Sequence, residues 1–232
     1  MKTCVIVFPG SNCDRDMCTA IARVMGSEPQ TVWHADSDFE KVDLITLPGG
    51  FSYGDYLRCG AIASRSPVMR EVVRRANAGV PVLGICNGFQ ILIESGLLPG
   101  TLIRNSNLKY VCKDTYVRAH STGSMFTRKY SPGQIIQVPI SHGEGNYFAN
   151  ESVLDKLEEK DCIAFTYVDE FGDQTQSSNP NGSSRNIAGI LNEKHNVLGM
   201  MPHPERACDR DLGGEDGAVL FESLASAFGV RK

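Results

Sequence analysis

Cys86 stands in the run Gly84-Ile85-Cys86-Asn87-Gly88, directly after the apolar segment Val80-Pro81-Val82-Leu83. One thiol bracketed by two glycines, where a strand gives way to a helix, is a spacing that serves nucleophilic chemistry. Gly84 and Gly88 leave room where strand and helix approach, and the residue between them is driven to the tip of the turn. With serine at the tip this is the nucleophile elbow of hydrolases. A thiol there sits at a helix N-terminus, where the positive end of the dipole favours a thiolate. Free cysteines are mostly small buried hydrophobes. The glycine bracket is what separates Cys86 from that ordinary role.

A nucleophilic thiol needs a base, and the base needs an orienting group. His203 follows an apolar run and is pinned between Pro202 and Pro204, which restrict the backbone on both sides. Glu205 lies two residues on. In an extended segment, residues i and i+2 project to one side, so Glu205 is expected to hold the imidazole nitrogen that faces away from Cys86. His142, in Ser141-His142-Gly143-Glu144-Gly145-Asn146, is the second candidate for the base. Its neighbouring glycines point to a loop packed close to something, which assigns it to a pocket rim. His34, His120 and His195 have no supporting context. Acyl transfer also needs oxyanion donors. The Asn87 N–H at the start of the helix is one, and the Gly49-Gly50 turn after a neighbouring strand offers the N–H of Gly50 or Phe51 as another.

These residues need a scaffold, and hydrophobic periodicity supplies one. The spacing predicts strands over residues 1–8, 30–33, 42–47 and 80–85. It predicts a helix N-capped by Asp14 with Met17, Ala20, Ile21 and Val24 inside, and a second helix over 67–78. Strands alternating with helices imply a parallel, doubly wound sheet. In such sheets ligands bind beyond the carboxyl ends of the strands. The loops Pro9–Cys13, Pro48–Tyr53 and the Cys86 elbow meet that condition. Further strands are expected at 115–117, 135–138, 163–168, 187–191 and 197–201, with a short helix at 152–158. Residues 173–185 read as a surface loop or hairpin tip. An amphipathic helix carrying Leu220, Phe221, Leu224 and Phe228 closes the chain. No linker or repeat interrupts this, so residues 1–232 are read as a single domain.

Composition narrows the function classes. In 232 residues, 41% hydrophobic and 22% charged, with formal net charge −4, there is no basic stripe for nucleic acid. Arg70, Arg74 and Arg75 read as the solvated face of a helix. No pair among the eight cysteines has C-x-x-C spacing, and no H-E-x-x-H occurs, so no metal site is expected. No phosphate-cradling motif follows a strand. The apolar run 4–8 is too short for a signal peptide, and no long apolar stretch exists. The reading is a reduced, cytoplasmic protein with no membrane contact, and the sequons at Asn150 and Asn181 are chance matches.

Taken together, Pro48-Gly49-Gly50-Phe51, Gly84-Ile85-Cys86-Asn87-Gly88-Phe89-Gln90 and His203-Pro204-Glu205 resemble the motifs of class I, triad-type glutamine amidotransferases. Four further stretches are similar to the glutaminase subunits of phosphoribosylformylglycinamidine synthases. They are residues 9–14, 49–60, 142–146 and 199–206. The resemblance implies a flavodoxin-like α/β fold, a doubly wound and mostly parallel sheet with added short antiparallel strands. It implies Cys86, His203 and Glu205 as the triad, and Gly49, Phe51, Gln90, His142, Gly143 and Glu144 as contacts of the substrate glutamine. It implies that ammonia passes to a separate synthase subunit, with a small bridging subunit between, and that ATP and magnesium are used by that synthase rather than by this chain. The loops 51–60 and 142–146 are expected at the pocket rim and partner-facing surface. Other readings are the glutaminase subunit of a different amidotransferase, a cysteine hydrolase of related fold, and a regulatory subunit without activity. Intact Cys86, His203 and Glu205 weigh against the last.

Overall fold

The computed structural model describes residues 1–120 and 123–230. Its first half alternates as expected: β1 (Thr3–Val7), α1 (Asp14–Met25), β2 (Gln30–Trp33), β3 (Leu44–Leu47), α2 (Pro67–Asn77), β4 (Val82–Ile85) and α3 (Asn87–Glu94). Then follow β5 (Thr101–Ile103), β6 (Val111–Ala119), β7 (Ile135–His142), β8 (Asn146–Phe148), α4 (Glu151–Glu159), β9 (Ile163–Val168), β10 (Ile187–Leu191), β11 (Val197–Met200) and α5 (Ala218–Ala227). Nine strands form one sheet in the order β2-β1-β3-β4-β11-β10-β9-β6-β7, while β5 and β8 pair separately.

The half from β2 to β11 is parallel, with β1 between β2 and β3, and β4 between β3 and β11. Every residue of β3, β4 and β11 is buried. This explains why these strands read as unbroken apolar runs: helices cover both faces of such a sheet. Met17, Ala20, Ile21 and Val24 of α1 are buried, as their spacing demands. Each larger side chain contributes roughly 1.5–3 kcal/mol when fully buried. From β10 onward the sheet is antiparallel, and this part is larger than a few short strands, since β6 alone spans nine residues.

Four local expectations change. Asp14 is the first helical residue of α1 and Cys13 occupies the cap position, without a capping side chain. Arg75 is not on a solvated face. It is buried, bonds Glu71 and the carbonyls of Phe39 and Glu40, and lies 3.9 Å over the Phe39 ring. A charge in the sequence signalled solvent, but its long apolar stem and fork of donors found a built socket. Residues 173–185 are more than a surface loop, because Asn181 is fully buried and its amide donates to Gly145 O at 2.8 Å. His142 ends a strand rather than sitting in a loop.

Candidate active site

β4 lies in the middle of the sheet and ends in the elbow. Cys86 has φ 51 and ψ −105, a sparsely populated region for a residue with a side chain, which costs about 1–3 kcal/mol. Its neighbours hold it there: its N–H donates to Met200 O at 2.8 Å, and its carbonyl accepts from Gln90 N–H at 3.1 Å. Gly88 lets α3 lie against β3. A Cβ there would stand 2.0 Å from Leu47 O. The Cys86 thiol faces Ser141 O at 3.6 Å.

β11 pairs with β4 in parallel register, Gly199 opposite Gly84 and Met200 opposite Ile85. Beyond it His203 is fixed by its N–H on Pro139 O at 2.8 Å. The segment is a 3-10 turn over Pro204–Arg206 rather than an extended strand. The turn still brings Glu205 Oε1 to 2.6 Å from His203 Nδ1, with both side chains buried. The imidazole, Cys13 and Cys86 converge on the Gly49 turn. The point where a Cβ of Gly49 would lie is 2.7 Å from His203 Cε1, 3.1 Å from Cys13 Sγ and 3.4 Å from Cys86 Cβ. Burial by itself would lower the His203 pKa. The Glu205 carboxylate, then Cys86 and Cys13, outweigh it and raise it well above the usual value. The Glu205 carboxylate on Nδ1 thus favours the charged ring.

The loop after β1 and the loop after β3 meet at a bridge between Ser11 and Gly50. That bridge corrects one oxyanion donor. The Phe51 N–H donates to Gly10 O at 3.1 Å and is not available. The Gly50 and Asn87 N–H groups remain as the candidate pair. The Asn87 side chain braces the site, accepting from Ser52 N–H at 3.1 Å and donating to Gln90 Oε1 at 2.8 Å.

Cys86 opens into a cleft of about 310 Å³, lined by Phe51, Gln90, Tyr110, Ser141, Gly143 and Glu144 among others. This is near the lower end of small-molecule sites. Gln90 donates to Glu144 O at 2.7 Å, so it fixes the far wall as well as lining the cleft. Asp55, Cys59 and Arg104 also line it. Burial, with Glu144 adding to it, raises the Asp55 pKa. Arg58, expected at the rim, is exposed and pairs with Glu94 at 2.5 Å.

His142 is the candidate base that the surroundings disable. Asn105 Nδ2 donates to Lys109 O at 2.8 Å and His142 O at 2.9 Å. Its Oδ1 therefore accepts, from Gly145 N–H at 3.0 Å and from His142 Nδ1 at 3.1 Å. This places the single proton of a neutral His142 on Nδ1. Burial, then the nearby His203 charge, pushes the His142 pKa down to about 4. An unfolded chain takes up that proton near pH 6.5 and the folded one does not, so stability falls as pH drops from about 6.5 to about 4. Urea unfolding of His142→Asn should show a flatter acid limb than the native protein over that window. Asn105 and Cys13 escaped sequence reasoning, because a polar residue's partners are set by tertiary contacts.

The comparisons with known proteins agree on what this geometry belongs to. The family model of the CobB/CobQ-like glutamine amidotransferase domain matches residues 1–212. This chain belongs to that glutamine amidotransferase family. Within the family, it is 55% identical over 220 residues to the phosphoribosylformylglycinamidine synthase subunit PurQ of Chlorobium luteolum, covering 95% of each chain. It superposes on a chain in the structure of PurLQS from Thermotoga maritima with TM-score 0.86 and 42% identity, covering 98% of both. The glutaminase domain of Trypanosoma brucei CTPS, with bound acivicin, shares the fold at TM-score 0.60 and 15% identity, covering 100% of this chain and 95% of that one. The mixed nine-stranded sheet is thus the α/β amidotransferase fold. Among the described residues no helix is long and apolar enough to cross a membrane.

Proposed function

We propose that Cys86, His203 and Glu205 are the triad of a glutaminase, and that Gly50 and Asn87 supply its oxyanion donors. The chain acts as the glutamine-hydrolysing subunit of a phosphoribosylformylglycinamidine synthase, with a synthase subunit and a small bridging subunit as partners. What carries the chemistry is the 2.6 Å contact of His203 Nδ1 with Glu205, on a ring that converges with Cys86 on the Gly49 turn.

The Cys86 sulfur attacks the side-chain carboxamide carbon of glutamine, and the oxygen takes up charge at the Gly50 and Asn87 N–H groups. The thiol proton held by His203 passes to the departing nitrogen, which leaves as ammonia. Water then attacks the thioester, giving up a proton to His203, and glutamate leaves as the sulfur is regenerated. Glu205 keeps the ring oriented and stabilises its charged form throughout. Phe51, Gln90, His142, Gly143 and Glu144 form the substrate-facing wall, and Gly49 backs it against His203. Ammonia goes to the synthase, which uses ATP to amidinate formylglycinamide ribonucleotide. We place the protein in the cytoplasm, consistent with eight unpaired cysteines, and treat residues 1–232 as one domain.

Intact-mass analysis after incubation with a diazo-ketone analogue of glutamine, in the assembled complex, tests this reading. We expect a single adduct, mapped to Cys86 and suppressed by excess glutamine. No adduct, or one on another cysteine, would reject it.

A further inference from the structure

The turn that carries His203 and Glu205 also carries Arg206, which reaches back to the start of α1. Arg206 Nε donates to Asp16 at 3.1 Å, and Nη2 donates to Cys13 Sγ at 2.8 Å. Cys13 Sγ is itself 3.2 Å from Asn12 Oδ1. A guanidinium only donates and an amide oxygen only accepts. The thiol proton therefore goes to Asn12, and the sulfur lone pairs are left for Arg206. Cys13 is 1% exposed, and its sulfur, a His203 ring nitrogen and a Glu205 oxygen lie within 4.8 Å of one another. No step of glutamine hydrolysis uses this second thiol.

We infer that Cys13 is a positioning residue for His203: its sulfur, fixed by Arg206 and Asn12, backs the imidazole and keeps it against Cys86. The inference rests on reading His203 as the base. The groups facing that ring are Glu205 from its own turn, Cys86 from the elbow, Cys13 from the start of α1 and His142 from the end of β7, with Arg206 and Asp16 beyond Cys13. Glu205, Cys86 and Cys13 favour the charged ring, while burial opposes it. His142 and His203 repel each other when charged. Removing the Cys13 sulfur takes away one of the groups that favour the Cys86–His203 ion pair and opens space into which the ring can turn.

The test is the pH profile of Cys86 alkylation by iodoacetamide in the three-subunit complex, for the native protein, Cys13→Ala and Cys13→Ser, read beside steady-state glutaminase kinetics. In the native complex we expect a low-pH inflection from the ion pair. Cys13→Ala should move that inflection to higher pH and lower kcat about tenfold, with KM for glutamine little changed. Cys13→Ser keeps an acceptor for Arg206 and a donor for Asn12, and should recover most of both. An unmoved inflection and kcat in Cys13→Ala would overturn the inference. So would a loss confined to KM or to the melting temperature. A native complex with no low-pH inflection would instead reject His203 as the base, and is thereby distinguished from a failure of Cys13 alone.

Discussion

Cys86→Ala is expected to lower glutamine-dependent turnover of the complex by about 10⁴-fold or more, the scale seen when a covalent nucleophile is removed. Ammonia-dependent turnover should persist, because added ammonia bypasses the step that Cys86 performs. The fold should survive. Alanine keeps the Cβ at the strained φ of 51 and every backbone hydrogen bond of the elbow, including the 2.8 Å bond to Met200 O. Cys86→Gly is the companion variant. It is equally inactive, but it relieves the strain of a side chain in that region and should melt higher than Cys86→Ala, by about 1 kcal/mol of stability. Parallel assays with glutamine and with ammonium salts, plus thermal unfolding of both variants, check this. Retained glutamine-dependent turnover in Cys86→Ala would remove the thiol from the chemistry.

Gly88→Ala carries the largest expected loss of stability. The added Cβ would stand 2.0 Å from Leu47 O and 2.7 Å from Leu47 C. Both are backbone atoms of a strand held between β1 and β4. A flexible side chain could swing away, but a strand hydrogen-bonded on both edges cannot, so α3 must lift off the sheet. We expect a cost of about 3 kcal/mol or more, in the range of severe overpacking. The variant should be poorly soluble or lose cooperative unfolding. Gly96→Ala is the control. Gly96 has φ 76 and nothing within 4 Å of its would-be Cβ, so the change costs only the backbone strain, about 1 kcal/mol. Equal effects in the two variants would show that close packing at Gly88 does not decide the elbow.

What was legible in the sequence was whatever depends on local pattern. The Cys86 elbow was readable because glycine has a structural meaning independent of the rest of the fold. The parallel half was readable because strands alternate with helices along the first hundred residues. His203 with Glu205 was found through its flanking prolines and two-residue spacing, although the turn is 3-10 rather than extended. What failed were polar residues whose partners are remote. Arg75 was assigned to solvent but sits in a socket formed by residues 39 and 40. Asn105 was invisible, though one side chain bonds residues 109, 142 and 145. The Phe51 N–H is taken by Gly10 O, a cross-loop bond that no periodicity announces. The sequon at Asn181 was set aside on the reading of a reduced, cytoplasmic protein. The structure gives a physical reason, since a fully buried amide bonded to Gly145 O leaves no room for a glycan.

The pairing of β4 with β11 has a consequence for the order of assembly. The thiol leaves the end of one strand and its imidazole partner follows the end of the adjacent one, yet β5 to β10 lie between them in the chain. β11 is an interior strand, inserted between β4 and β10. A chain emerging from the ribosome therefore carries its thiol long before its base, and the two become neighbours only when this late strand closes a gap in the middle of the sheet. Long-range pairing of this kind is slow. With Cys86 and His203 paired as proposed, unfinished or misfolded chains are expected not to consume glutamine, and hydrolytic competence would report that the sheet is complete. The intervening segment takes part in that closure, because Pro139 O of β7 anchors the His203 N–H at 2.8 Å.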